Sequence, residues 1–205
     1  MMQYLNKAKA PIILALIFLL IGALPAAAQE GPDPVGSGAD PATAVNFAWT
    51  LMAGFLVFFM QAGFALVETG FSRAKNAVAV LTKNFMDCLI GGLAFWAFGF
   101  AFMFGGSALA SGLDVGNPFI GLSGFLLTGA SYDVYTMELW FFQMVFAATA
   151  ATIVSGAMAE RTKVTAYLAY SFFVSAIIYP LFGHWVWGGG WLATLPFGVG
   201  VRDFA

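Results

Sequence analysis

The stretch ELWFFQMVFAATAATIVSGAMAE, Glu138 to Glu160, holds 21 uncharged residues between two glutamates. About 20 apolar residues at roughly 1.5 Å each cross the roughly 30 Å hydrocarbon core of a bilayer, so the stretch reads as a membrane-spanning helix. Phe142 and Phe146 stand four residues apart and share a helical face. The small residues Ala147, Ala148, Ala150, Ala151, Ser155 and Gly156 follow them, which suits close packing against other helices. Two readings fit: the rings stand beside a pore, or they fill space in a packed bundle.

The rest of the chain favours a membrane setting throughout. Of 205 residues, 61% are hydrophobic and 9% are charged, against roughly 25% charged in a soluble domain. The net charge of −2 comes without a basic patch, so nothing points to nucleic acid. Cys88 is the one cysteine and His184 the one histidine, which leaves neither a disulfide nor a cysteine or histidine metal cluster, and no cofactor is expected. No phosphate loop, Ser-His-Asp set or facing carboxylate pair occurs, so the sequence does not read as an enzyme.

Residues 1–28 read as a signal peptide, with Lys7 and Lys9, an apolar run from Pro11 to Leu24, and Ala26-Ala27-Ala28 before Gln29. An uncleaved first span is the alternative. Residues 29–43 read as an exposed linker on the periplasmic side, rich in Gly, Pro and acid. Four spans are expected beyond it, at roughly 44–67, 85–104, 138–160 and 164–187. Pro180 is expected to kink the last. In the loop 105–136, Phe119 to Leu127 is expected to form a short helix on the outer surface. The loop at 68–83 carries Arg73, Lys75 and Lys83, and Arg161 and Lys163 follow the third span, whereas 105–136 has no Lys or Arg. The positive-inside rule then makes the first two loops cytoplasmic and the third external, with the mature N-terminus outside. Phe142 and Phe146 would lie in the outer part of the third span, and His184, Trp185, Trp187 and Trp191 at the outer end of the fourth.

Phe142, Phe146 and Trp187 could present ring faces to a cation at one depth, each worth roughly 0.5–1 kcal/mol. They could equally be core and interface aromatics. The glycines of GHWVWGGGWL, Gly183 to Leu192, either allow a close backbone approach or merely turn the chain. Asp203 reads as a helix N-cap or as an acid that favours cations. Glu68 and Asp87 read as interfacial acids paired with nearby Lys and Arg. Gln143 could bond another helix, and His184 reads as a surface or packing residue near water.

Three segments together resemble the Amt/Mep/Rh ammonium transporters, the bacterial Amt branch in particular. They are GFALVETGFSRAKNA (Gly63 to Ala77), FFQMVFAATAATIVSGAMAERTK (Phe141 to Lys163) and YPLFGHWVWGGGWL (Tyr179 to Leu192), the last leading to Asp203-Phe204-Ala205. The likeness covers roughly residues 44–205. It implies an all-α polytopic membrane protein, the N-terminal half of an eleven-helix inverted-repeat bundle. It also implies a homotrimer with one pore per subunit, a bacterial inner-membrane location and a cytoplasmic face open to a PII-type regulator. Ammonium would be recruited at Phe142 and Trp187, Phe146 would be one ring of a gate, and Asp203 would order the vestibule. The family's Asp-Phe-Ala-Gly signature stops here at its third residue, so a truncated chain of four spans and the start of a fifth is expected. The pore histidines fall beyond Ala205, and His184 matches neither. A sensing domain of a signalling protein and a non-conducting fragment are the alternative readings.

Overall fold

The computed structural model describes residues 41–110, 112–195 and 201. The signal-peptide reading, most of the linker and Asp203 lie outside them.

Among the described residues, four helices are long and apolar enough to cross a membrane: α1 (Pro41–Phe71), α2 (Ala74–Phe104), α3 (Val134–Met158) and α4 (Val164–Val186). Helix α1 opens on Pro41, a residue suited to a first helical turn. Asp133 caps α3 by accepting from Thr136 N–H at 3.2 Å.

Two helices contain a π turn, Phe95–Gly99 in α2 and Val174–Ile178 in α4. The second has a covalent cause. Pro180 offers no N–H to the preceding turn, and the ladder adjusts by widening. The two turns pack against each other, and only glycine fits at the contact. A Cβ on Gly99 would stand 2.5 Å from Ser175 O and 3.0 Å from Pro180 Cγ.

The core sits between α2, α3 and α4, where Phe95, Phe100, Met103, Phe104 and Ala147 are sealed from solvent. Helix α1 lies at the edge, buries only Gly54, and leaves Trp49, Phe55, Phe59 and Leu66 exposed.

Two expectations are corrected here. Helix α2 begins about eleven residues before the expected start, because its charged side chains find partners inside the bundle. Residues Phe119 to Leu127 do not form a helix. A short antiparallel hairpin, β1 (Gly116–Asn117) and β2 (Ile120–Gly121), comes first, with Asn117 Oδ1 accepting from the Phe119 and Ile120 N–H groups at 2.9 and 3.1 Å. A single 3-10 turn, Phe125–Leu127, follows. Pro118 and the closely packed Gly116 and Gly121 favour this turn over a helix.

Candidate functional site

Phe142 and Phe146 meet edge to face on α3, with ring centroids 5.1 Å apart and planes at 63°. Both are half-buried. At about 1.5 Å per residue they stand roughly 12 and 18 Å along α3 from Val134. Moving on by helical steps, the same face carries Ala150, Ile153 and Ala157, which are half-buried or exposed. The opposite face, with Val145, Ala148, Thr152 and Ser155, is buried. The two rings therefore head a stripe that the four-helix unit leaves uncovered.

Trp187 ends α4. Its N–H donates to Gly183 O at 2.8 Å, and its ring packs on Tyr179 and Phe182 at 6.3 and 6.1 Å. It makes no ring pair with Phe142 or Phe146. The connection runs through Tyr179, whose hydroxyl donates to Gln143 Oε1 at 3.0 Å, beside Phe142. Gln143 thus bonds another helix, as its position had led us to expect. Tyr179 was missed in the sequence, although its place just before Pro180 marks an irregular and informative turn.

The glycines after Trp187 make a close approach as well as a turn. Gly188 packs on Met103 O and the His184 ring, Gly190 has Pro118 O where a Cβ would need space, and Gly189 takes a positive φ of 82°. Three successive hairpin carbonyls are held from α4 and this turn. Asn117 O faces His184 Nε2 at 2.8 Å, Pro118 O accepts from Trp191 N–H at 2.9 Å, and Phe119 O accepts from the Trp185 indole at 2.8 Å. His184 is 2% exposed, which corrects its reading as a residue near water.

Glu68 pairs with Lys83, as expected, whereas Asp87 is corrected: among the described residues it forms no ion pair. Asp87 is fully buried and accepts from the Tyr167 and Ser171 hydroxyls of α4. Glu68 accepts from Asn84 Nδ2 and Ser155 Oγ, each at 2.6 Å. Lys83 Nζ lies 3.9 Å from Glu68 and 4.5 Å from the Tyr167 ring centroid. All four helices feed this cluster. Between it and the level of Phe146, Gln61 of α1 donates to Thr149 Oγ1 at 3.0 Å, and Thr152 Oγ1 donates to Gln61 Oε1 at 3.3 Å.

At the end remote from the hairpin, Glu160 ties its own loop to the loop and first turn that open α2. It accepts from Arg73 Nε and Asn76 Nδ2, each at 2.7 Å, and from Arg73 N–H at 3.1 Å. The Asn76 amide, followed by the Arg73 N–H, holds its carboxyl below the usual glutamate range. Among the described residues, no group of three His, Cys, Asp or Glu side chains could hold a metal ion.

The profile of the Ammonium Transporter Family matches residues 48–205. The chain belongs to that family. It is 51% identical to the ammonium transporter Amt2 of Archaeoglobus fulgidus over 202 residues, 94% of this chain and 40% of the relative. It is 42% identical to ammonium transporter 1 member 3 of Solanum lycopersicum over 166 residues, 78% of this chain and 34% of that one. Among solved structures, a Sensor Amt Protein superposes with a TM-score of 0.64 at 42% identity, covering 73% of this chain and 37% of the other. Mep2 of Candida albicans superposes with a TM-score of 0.63 at 25% identity, covering 74% and 33%.

The chain spans 40% of the Archaeoglobus relative's length and 34% of the Solanum one's, less than half of each. As a member of an ammonium transporter family with four apolar spans, it is a multi-pass membrane protein whose described helices form part of the bundle shared with the Amt and Mep structures. Phe142, Phe146 and Trp187 all fall inside the matched region, with Asp203 near its end.

Proposed function

We propose that the intact protein moves ammonium across the membrane, taking the ion up at the hairpin end of the bundle. The observation that carries this reading is the pair of edge-to-face rings Phe142 and Phe146 on an uncovered stripe. The pair is linked through Gln143 and Tyr179 to Trp187 at one end of the bundle. By the charge rule that end is external and the mature N-terminus periplasmic.

Magnitudes divide the work. Transferring an unpaired ammonium ion to a dry apolar channel costs tens of kcal/mol in the continuum limit. Two or three ring faces return only a few kcal/mol. Phe142 and Trp187 therefore hold the cation at a wet mouth and do not carry it through. The ion gives up its proton to water of the mouth near Phe146, since desolvation disfavours a charged amine, and ammonia passes between neutral walls. Asp203 orders the mouth. No catalytic turnover is involved, so the protein is a channel-like transporter and not an enzyme. It works as a homotrimer in a bacterial inner membrane after removal of residues 1–28. A PII-type regulator reaches the loops that hold Arg73 and Glu160.

A second reading has an observation behind it: the 42% identity to a Sensor Amt Protein. The full-length protein in proteoliposomes separates the two. Accumulation of labelled methylammonium supports transport. Saturable binding of ammonium without any flux would replace transport by sensing. The 205 residues alone present one wall of a pore, and liposomes carrying only them are expected to pass no ammonia.

A further inference from the structure

The His184 ring lies between two backbone carbonyls. Nδ1 faces Met103 O at 2.7 Å and Nε2 faces Asn117 O at 2.8 Å. A carbonyl oxygen only accepts. A neutral imidazole donates from one nitrogen and turns a lone pair toward the other carbonyl; an imidazolium donates to both. The ring is 2% exposed, so water does not relieve a mismatch.

Met103 occupies the last turn of α2. The Ser107 N–H that would continue the ladder to its carbonyl donates to Phe104 O instead, at 3.0 Å. Met103 O is therefore one of the unfilled carbonyls at a helix C-terminus, where the helix dipole favours a cation. Asn117 O belongs to the hairpin turn. The groups facing His184 from the packed elements are these two carbonyls and the backbone of Gly188. Among the described residues no acidic side chain forms an ion pair with it, and Asp114, in the segment leading into the hairpin, is exposed.

We propose that His184 is a positioning residue for the ammonium mouth, whose two ring nitrogens pin the end of α4 to the C-terminus of α2 and to the hairpin. Trp187 follows three residues later, and its N–H bonds Gly183 O, one residue before His184. Fixing the ring fixes the turn on which the tryptophan stands. The inference rests on the recruitment role given to Trp187 above.

Methylammonium uptake by the full-length protein tests it. Losing the clamp cannot cost more than losing the tryptophan, so His184→Ala should raise the apparent KM by about two- to fivefold, as Trp187→Leu does, with the maximal rate kept. His184→Gln, which retains one donor group, should fall between. A raised KM in Trp187→Leu beside an unchanged one in His184→Ala overturns the positioning role and leaves recruitment standing. An unchanged KM in Trp187→Leu removes the recruitment reading and this role with it.

Discussion

Lys83 is the single positive charge within the buried cluster of Glu68, Asp87, Tyr167 and Ser171. Replacing it by Met would leave two acids without a counter-charge. Breaking a buried pair from one side costs about 3–5 kcal/mol, so Lys83→Met should melt well below the parent in detergent. An equal melting point would mean that the acids are already neutral or solvated. Tyr167→Phe removes only one donor from Asp87 and should cost about 1–3 kcal/mol. Glu160 makes a prediction about pH. Its folded pKa lies below the ordinary 4.5, so its contribution is complete above that value and is lost as pH falls through the folded one. Hydrogen exchange of residues 72–76 should therefore accelerate below about pH 4.5 in the wild type and be fast at every pH in Glu160→Ala. A protection pattern independent of both pH and residue 160 would contradict the tie.

At the scale of elements, the two π turns depend on the absence of a side chain at Gly99. Gly99→Val would drive its side chain into Ser175 O and Pro180, and overpacking of this kind costs about 1–3 kcal/mol. Lower yield and a lower melting temperature are expected, with normal values showing that the contact can give way. The elements also show what the sequence made legible. Hydropathy and charge located all four spans, since long apolar runs between charges have few other physical solutions. The start of α2 was misplaced because Lys83 and Asp87 look like loop charges until their partners on α1 and α4 are known, and those partners lie up to 84 residues away. The hairpin at Gly116–Gly121 was misread because short apolar runs do not separate helix from strand. Phe142 and Phe146 could be paired from their spacing alone. Their link to Trp187 through Gln143 and Tyr179 is a tertiary bond that periodicity cannot reveal, and so is the burial of His184.

Within the described four-helix unit, the stripe of α3 that carries Phe142 and Phe146 is uncovered. Helix α3 is buried along Val145, Ala148, Thr152 and Ser155 and open along Phe142, Phe146, Ile153 and Ala157. Helix α1 is exposed over most of its surface. The chain covers 40% of the length of its Archaeoglobus relative and 34% of its Solanum one. The central claim is that Phe142 and Trp187 hold the same cation at the mouth. It is tested most directly by the concentration dependence of methylammonium uptake in the full-length protein, for Phe142→Ala, Trp187→Leu and the double variant. Each single change should raise the apparent KM by about two- to fivefold, and the double change further, at an undiminished maximal rate. Uptake curves that superimpose on the wild type in all three would contradict the account.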